Sequence, residues 1–188
     1  MKKKIVSVVL AVLLLVVCVG CAKEPEKGVL EKEAVKEQEA LYGKSMEDVC
    51  KELGISEKQI KKAEDGEESL TPKEKVVLGE QKFTQTIDCY PDGFHTRHLK
   101  LEMKNGDEEI VTVAKAVYEE AAAMYGAPLT EGYETSIQAL KSGDVEGEFY
   151  DIWEEGEKTQ IWLMVSRGDN DQVLIELSYE ISEEATEE

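Results

Sequence analysis

Apolar positions along this chain fall into three regimes. Ile5 to Val19 is an apolar run interrupted only by Ser7, and Lys2, Lys3 and Lys4 precede it. Further on, Ile110, Val113, Ala114, Val117, Ala121 and Met124 recur at helical spacing. That stripe predicts a helix over about 107–125. Asp107, Glu108 and Glu109 suit its positive N-terminus, and Gly126 and Pro128 end it. From residue 148 the period shortens toward two. Phe149, Tyr150, Ile152 and Trp153 mark one strand; Ile161 to Val165, apolar on both faces, mark a central one. Val173, Ile175, Leu177, Tyr179 and Ile181 alternate with mostly polar residues, as in a half-buried strand.

The middle of the chain adds shorter elements. Ser45 starts a helix that Gly54 stops. Ser56 with Gln59 reads as a second helix start, and Thr71-Pro72-Lys73-Glu74 as a third. Phe83 to Tyr90 and Phe94 to Met103 form a hairpin around Pro91-Asp92-Gly93. A bulged turn there sets Cys89 opposite His95, Ile87 opposite Arg97, Gln85 opposite Leu99 and Phe83 opposite Leu101. Ser136 to Leu140 reads as a short helix closed by Gly143. The expected fold is α+β: small N-terminal helices, a hairpin, then a long helix packed on an antiparallel sheet with a C-terminal three-stranded meander.

The first apolar run changes the reading of everything after it. A positive start, a short apolar stretch and small residues at its end make a signal peptide. Val19-Gly20-Cys21 then resembles the lipid-attachment motif of bacterial lipoproteins, with Cys18 where that family usually carries Leu. The resemblance implies cleavage before Cys21, a diacylglycerol thioether on that residue and, in many species, a further acyl chain such as palmitate. The expected organisation is a signal peptide at 1–20, an acylated N-terminus and charged tether at 21–44, one domain at 45–182 and an acidic tail at 183–188. The Gly43-Lys44-Ser45 helix start, the Tyr125-Gly126-Ala127-Pro128 helix end and the Trp-bearing strands also resemble small lipoproteins of Gram-positive bacteria. They are loosely similar to beta-lactamase-inhibitor-like modules.

The chain has 41 acidic and 22 basic residues, and the leader takes three of the basic ones and none of the acidic. The chain beyond the leader is therefore more negative than the −19 of the whole. Such a surface argues against nucleic acid and against lying on anionic lipid. That removes the helix-turn-helix reading that Leu53-Gly54-Ile55-Ser56 otherwise invites.

Candidate chemistry is sparse. Cys50 and Cys89 are either a disulfide or two buried thiols. Cys89 opposite His95 is either a nucleophile with its base or chance adjacency. His95 and His98, three apart on a strand, point to opposite faces and cannot share a metal. Arg167-Gly168-Asp169 has the residues a turn uses. Trp153 and Trp162 are either core or a recognition platform. No cofactor or metal set is assignable. The expectation is a membrane-anchored, exported, non-enzymatic module on the extracytoplasmic face. It would bind an envelope protein, peptide or glycan; an enzyme using Cys89 and His95 is the alternative.

Overall fold

The computed structural model describes residues 32–91, 93, 95–155 and 158–181. The leader, Cys21 and the acidic tail lie outside them. Within them the protein is α+β. Helices α1 (Lys32–Leu41) and α2 (Met46–Leu53) come first, and then a 3-10 turn at Glu57–Gln59. Strands β1 (Ile60–Lys62), β2 (Glu68–Leu70), β3 (Val76–Leu78), β4 (Gln81–Cys89) and β5 (His95–Lys104) come next. Helices α3 (Glu108–Tyr125) and α4 (Tyr133–Ser142) precede β6 (Glu148–Glu155), β7 (Thr159–Arg167) and β8 (Gln172–Ile181). The strands form one antiparallel sheet in the order β1-β2-β4-β5-β8-β7-β6, with β3 attached to β4.

Odd-numbered positions of β4 to β8 face the core. Phe83, Leu99, Ile161, Leu163, Ile175 and Leu177 meet Ile110, Val113, Ala114, Val117 and Ala121 of α3. The Asp107 carboxylate accepts from the Glu109 N–H and caps α3. A second, smaller cluster joins Leu41, Met46, Val49 and Cys50 to Leu70, Ile87 and Cys89. The hairpin register is as expected: Cys89 pairs with His95, Ile87 with Arg97 and Gln85 with Leu99.

Three segments differ from the sequence expectation. The stretch after Ser56 makes one 3-10 turn and then β1, and the Ser56 side chain makes no capping bond. Ile60 instead pairs with Leu70 across β1 and β2. Without a second helix, the helix-turn-helix corner does not form. The stretch after Thr71 is also not a helix. Val76 and Leu78 are buried while Val77 is exposed, the period of a strand. Gly79 and Glu80, both at positive φ (55° and 64°), make the two-residue turn that folds β3 onto β4.

The third difference is at the N-terminal side. Part of the segment read as a tether is α1, and Val35 is 1% exposed in the main core. Its Glu39 Oε1 accepts from Thr159 Oγ1 at 2.6 Å, and Lys32 pairs with Glu155 at 2.9 Å. The folded unit therefore includes residues N-terminal to Ser45.

The outer strand β6 is held by the segment before α4. The Leu129 N–H donates to the Ile152 carbonyl at 2.7 Å. Thr130 Oγ1 donates to the Tyr150 carbonyl at 3.0 Å and accepts from the Ile152 N–H at 3.1 Å. The Gly132 N–H donates to Asp151 Oδ1 at 2.9 Å. A Cβ on Gly132 would lie 2.3 Å from the Tyr150 oxygen, so only glycine fits.

Because α1 buries Val35 in the main core, Val35→Ala should destabilise the protein by about 2 kcal/mol. Urea unfolding measures this, and a loss below about 0.5 kcal/mol would restore the tether reading.

Candidate functional site

Among the described residues, the sequence-expected Cys89 and His95 are brought together, but their surroundings oppose activation. Both are buried, and His95 is fully so. Burial pushes the Cys89 thiol up to about 11, with Glu68, Asp88 and Cys50 adding to the shift. Burial pushes the His95 imidazole below its ordinary value. The Gly93 and Gln38 backbones favour its protonated form, yet neither ring nitrogen makes a bond of proper hydrogen-bond geometry. Its ring sits 6.1 Å from that of Tyr42. A reactive thiolate needs the reverse, a lowered thiol beside a cation. Cys50 shares the small cluster with Cys89, and both are free thiols.

The other histidine has the richer environment. His98 points to the even-numbered face, away from α3. Its Nδ1 lies 2.6 Å from Glu176 Oε1 and 2.9 Å from Ser178 Oγ. Ser178 Oγ donates to Glu176 Oε1 at 3.0 Å. Asp88 Oδ2 is 3.4 Å from His98 Nε2, and Lys100 Nζ is 3.4 Å from Glu176 Oε1. Glu176 is only 5% exposed. Burial is the largest single influence on its carboxyl and acts upward. The His98 hydrogen bond, Lys100 and Ser178 together outweigh it, and the carboxyl stays below its ordinary value. Asp88 is pushed up, mainly by burial.

Antiparallel register lays this cluster beside an apolar one. One row across the sheet runs Ile152, Trp162, Ser178, His98, Thr86. The next runs Tyr150, Met164, Glu176, Lys100, Thr84. The β6–β7 end is apolar and the β8–β5 end is charged. Tyr150 is 43% exposed, and its ring lies 5.6 Å from that of Trp162. Tyr150, Ile152, Trp162 and Met164 belong to neither core cluster. Trp153, by contrast, is core, and its indole N–H donates to the Gly126 carbonyl at 3.0 Å.

The sequence offered Trp162 as core or platform and did not join it to His98 and Glu176. His98 and Glu176 lie 78 residues apart and meet only because β5 pairs with β8. A weak signal was present: β7 is apolar on both faces, and only one of those faces can meet α3. A separate cleft of about 250 Å³ lies beside α2, where Gln38, Ile55, Gln85 and Arg97 are among its walls. Arg97 Nη2 there donates to Gln85 Oε1 at 3.0 Å. Among the described residues no cluster of His, Cys, Asp and Glu is arranged to hold a metal ion.

These environments can be measured in two ways. A lowered carboxyl stabilises the fold above its ordinary value of 4.5 and loses that contribution as pH falls through the lowered one. His98→Gln lets burial dominate, so Glu176 should rise, neutral-pH stability should fall by about 2 kcal/mol, and the acid decline should flatten. Denaturant titrations at neutral and acid pH show this; an unchanged acid limb contradicts it. Cys89 should resist alkylation at neutral pH in the folded chain, with His95→Ala making no difference. Fast labelling that this substitution slows would revive the Cys89–His95 enzyme. The chain matches no protein-family model, no curated protein and no solved structure, which leaves the open face of the sheet as the guide to its function.

Proposed function

We propose that this is an exported lipoprotein, held on the extracytoplasmic face of the cell membrane through an acylated Cys21. In this reading the folded part is a non-enzymatic module that binds an envelope partner on the even-numbered face of its sheet. The observation that carries the binding reading is the apolar quartet Tyr150, Ile152, Trp162 and Met164. It serves neither core cluster and lies directly beside the His98–Glu176 cluster. Half-buried apolar side chains edged by polar groups are the usual makeup of a recognition surface.

The anchor reading rests on Lys2 to Cys21 and their resemblance to lipoprotein leaders. No helix among the described residues is long and apolar enough to cross a membrane. Two or more acyl chains hold a protein stably where one gives only reversible binding.

Cys21→Ser should abolish metabolic lipid labelling and shift the protein out of the membrane fraction. Lipid label retained by that variant would refute the anchor. A photo-crosslinking residue at Met164 should give a defined product in intact cells, and the same residue at exposed Lys115 on α3 should not. Equal yields from both positions would refute the face.

A further inference from the structure

We propose that the open face takes a basic, extended peptide segment, with one Arg or Lys side chain laid over Trp162 toward Glu180 and a second directed at Asp88, three strands away. This rests on the binding-module reading above and names the chemistry of its partner.

The charge count around His98 motivates it. From β4 comes Asp88, from β8 come Glu176 and Glu180, and from β5 comes Lys100. Three carboxylates thus share one imidazole and one ammonium. Glu176 takes two of the three contacts to these groups, at 2.6 Å from His98 and 3.4 Å from Lys100, and Asp88 the third. Glu180 is half-buried; burial pushes its carboxyl up, and the attraction of His98 does not offset burial and the repulsion of Glu176 together. A guanidinium, with its fork of donors, supplies the missing positive charge.

The neighbouring rings supply the other half of the fit. Glu180 pairs with Gln160, and Trp162 with Ser178, so Trp162 and Glu180 are diagonal neighbours across β7 and β8. A cation reaching Glu180 over β7 crosses the Trp162 ring, where its attraction to the ring face adds to that of the carboxylate. Trp162 Nε1 is buried and has no acceptor. Phosphate-bearing partners meet repulsion here, and a second copy brings the same acidic face. A neutral glycan could stack on the rings but leaves the carboxylate excess unbalanced.

The test uses the full chain in phosphatidylcholine vesicles and a short peptide alternating Arg with Thr. Trp162 reports by fluorescence, because the chain's other tryptophan, Trp153, is 1% exposed in the core. Binding should saturate, weaken with salt, and vanish when citrulline replaces Arg. By titration calorimetry, which does not need Trp162 as a reporter, Trp162→Ala, and Asp88→Asn combined with Glu180→Gln, should each weaken it by about tenfold. The two amides are isosteric with the carboxyls and preserve the fold, which thermal melts check. Equal binding of the citrulline peptide, no binding of either peptide, or indifference to the Asp88/Glu180 pair would overturn the proposal. If a neutral oligosaccharide binds at Trp162 instead, the basic-peptide inference fails while the binding face stands. If crosslinking from Met164 also fails, both are lost.

Discussion

Burial of one face of an antiparallel sheet fixes its register, because a slip by one residue exchanges the faces. In this protein the slip would send Leu99, Leu163 and Leu177 to water. These three sit side by side across β5, β8 and β7. The same slip would separate His98 from Glu176, which face the other way on two of those strands. The apolar core thus holds a charge cluster it never touches. The long α3 covers only one side, so the even-numbered residues are placed by packing that occurs beneath them.

That placement explains how a carboxylate at Glu176 tolerates near-complete burial. A lone buried carboxylate is strongly disfavoured; this one has an imidazole, a hydroxyl and an ammonium within hydrogen-bond or ion-pair distance. His95, on the opposite face, is the counterexample. It is buried more deeply and lacks well-formed partners. Two histidines three residues apart therefore occupy different chemical surroundings, and the parity of a strand decides which is which.

Parity also divides what was legible in the sequence from what was not. The α3 stripe, the β4–β5 register and the three closing strands carry strong periodic signals, and the structure contains all of them. The Thr71-Pro72-Lys73-Glu74 start misled because capping residues are local, whereas the Val76–Leu78 strand depends on β4 arriving alongside it. Helix α1 was obscured by its charge: Val35 and Leu41 are the apolar side chains it buries. The open face was the least legible feature. Its rows join residues from β4 through β6, and the pairing of β5 with β8 has no local signal behind it.

The clasp over β6 has a consequence for how this molecule can meet others. An open antiparallel sheet ends in two rows of unpaired backbone groups, and those rows recruit foreign strands. On one side, Leu129 and Thr130 already occupy the Tyr150 and Ile152 backbone. Gly132 lets that cover lie too close for any larger residue. On the other side the sheet stops at two three-residue strands, Ile60–Lys62, of which two are lysines, and Val76–Leu78. Growth by strand addition is discouraged at both margins. Association is thereby diverted to side chains rather than main chain, and side chains can discriminate between partners where a bare backbone edge cannot.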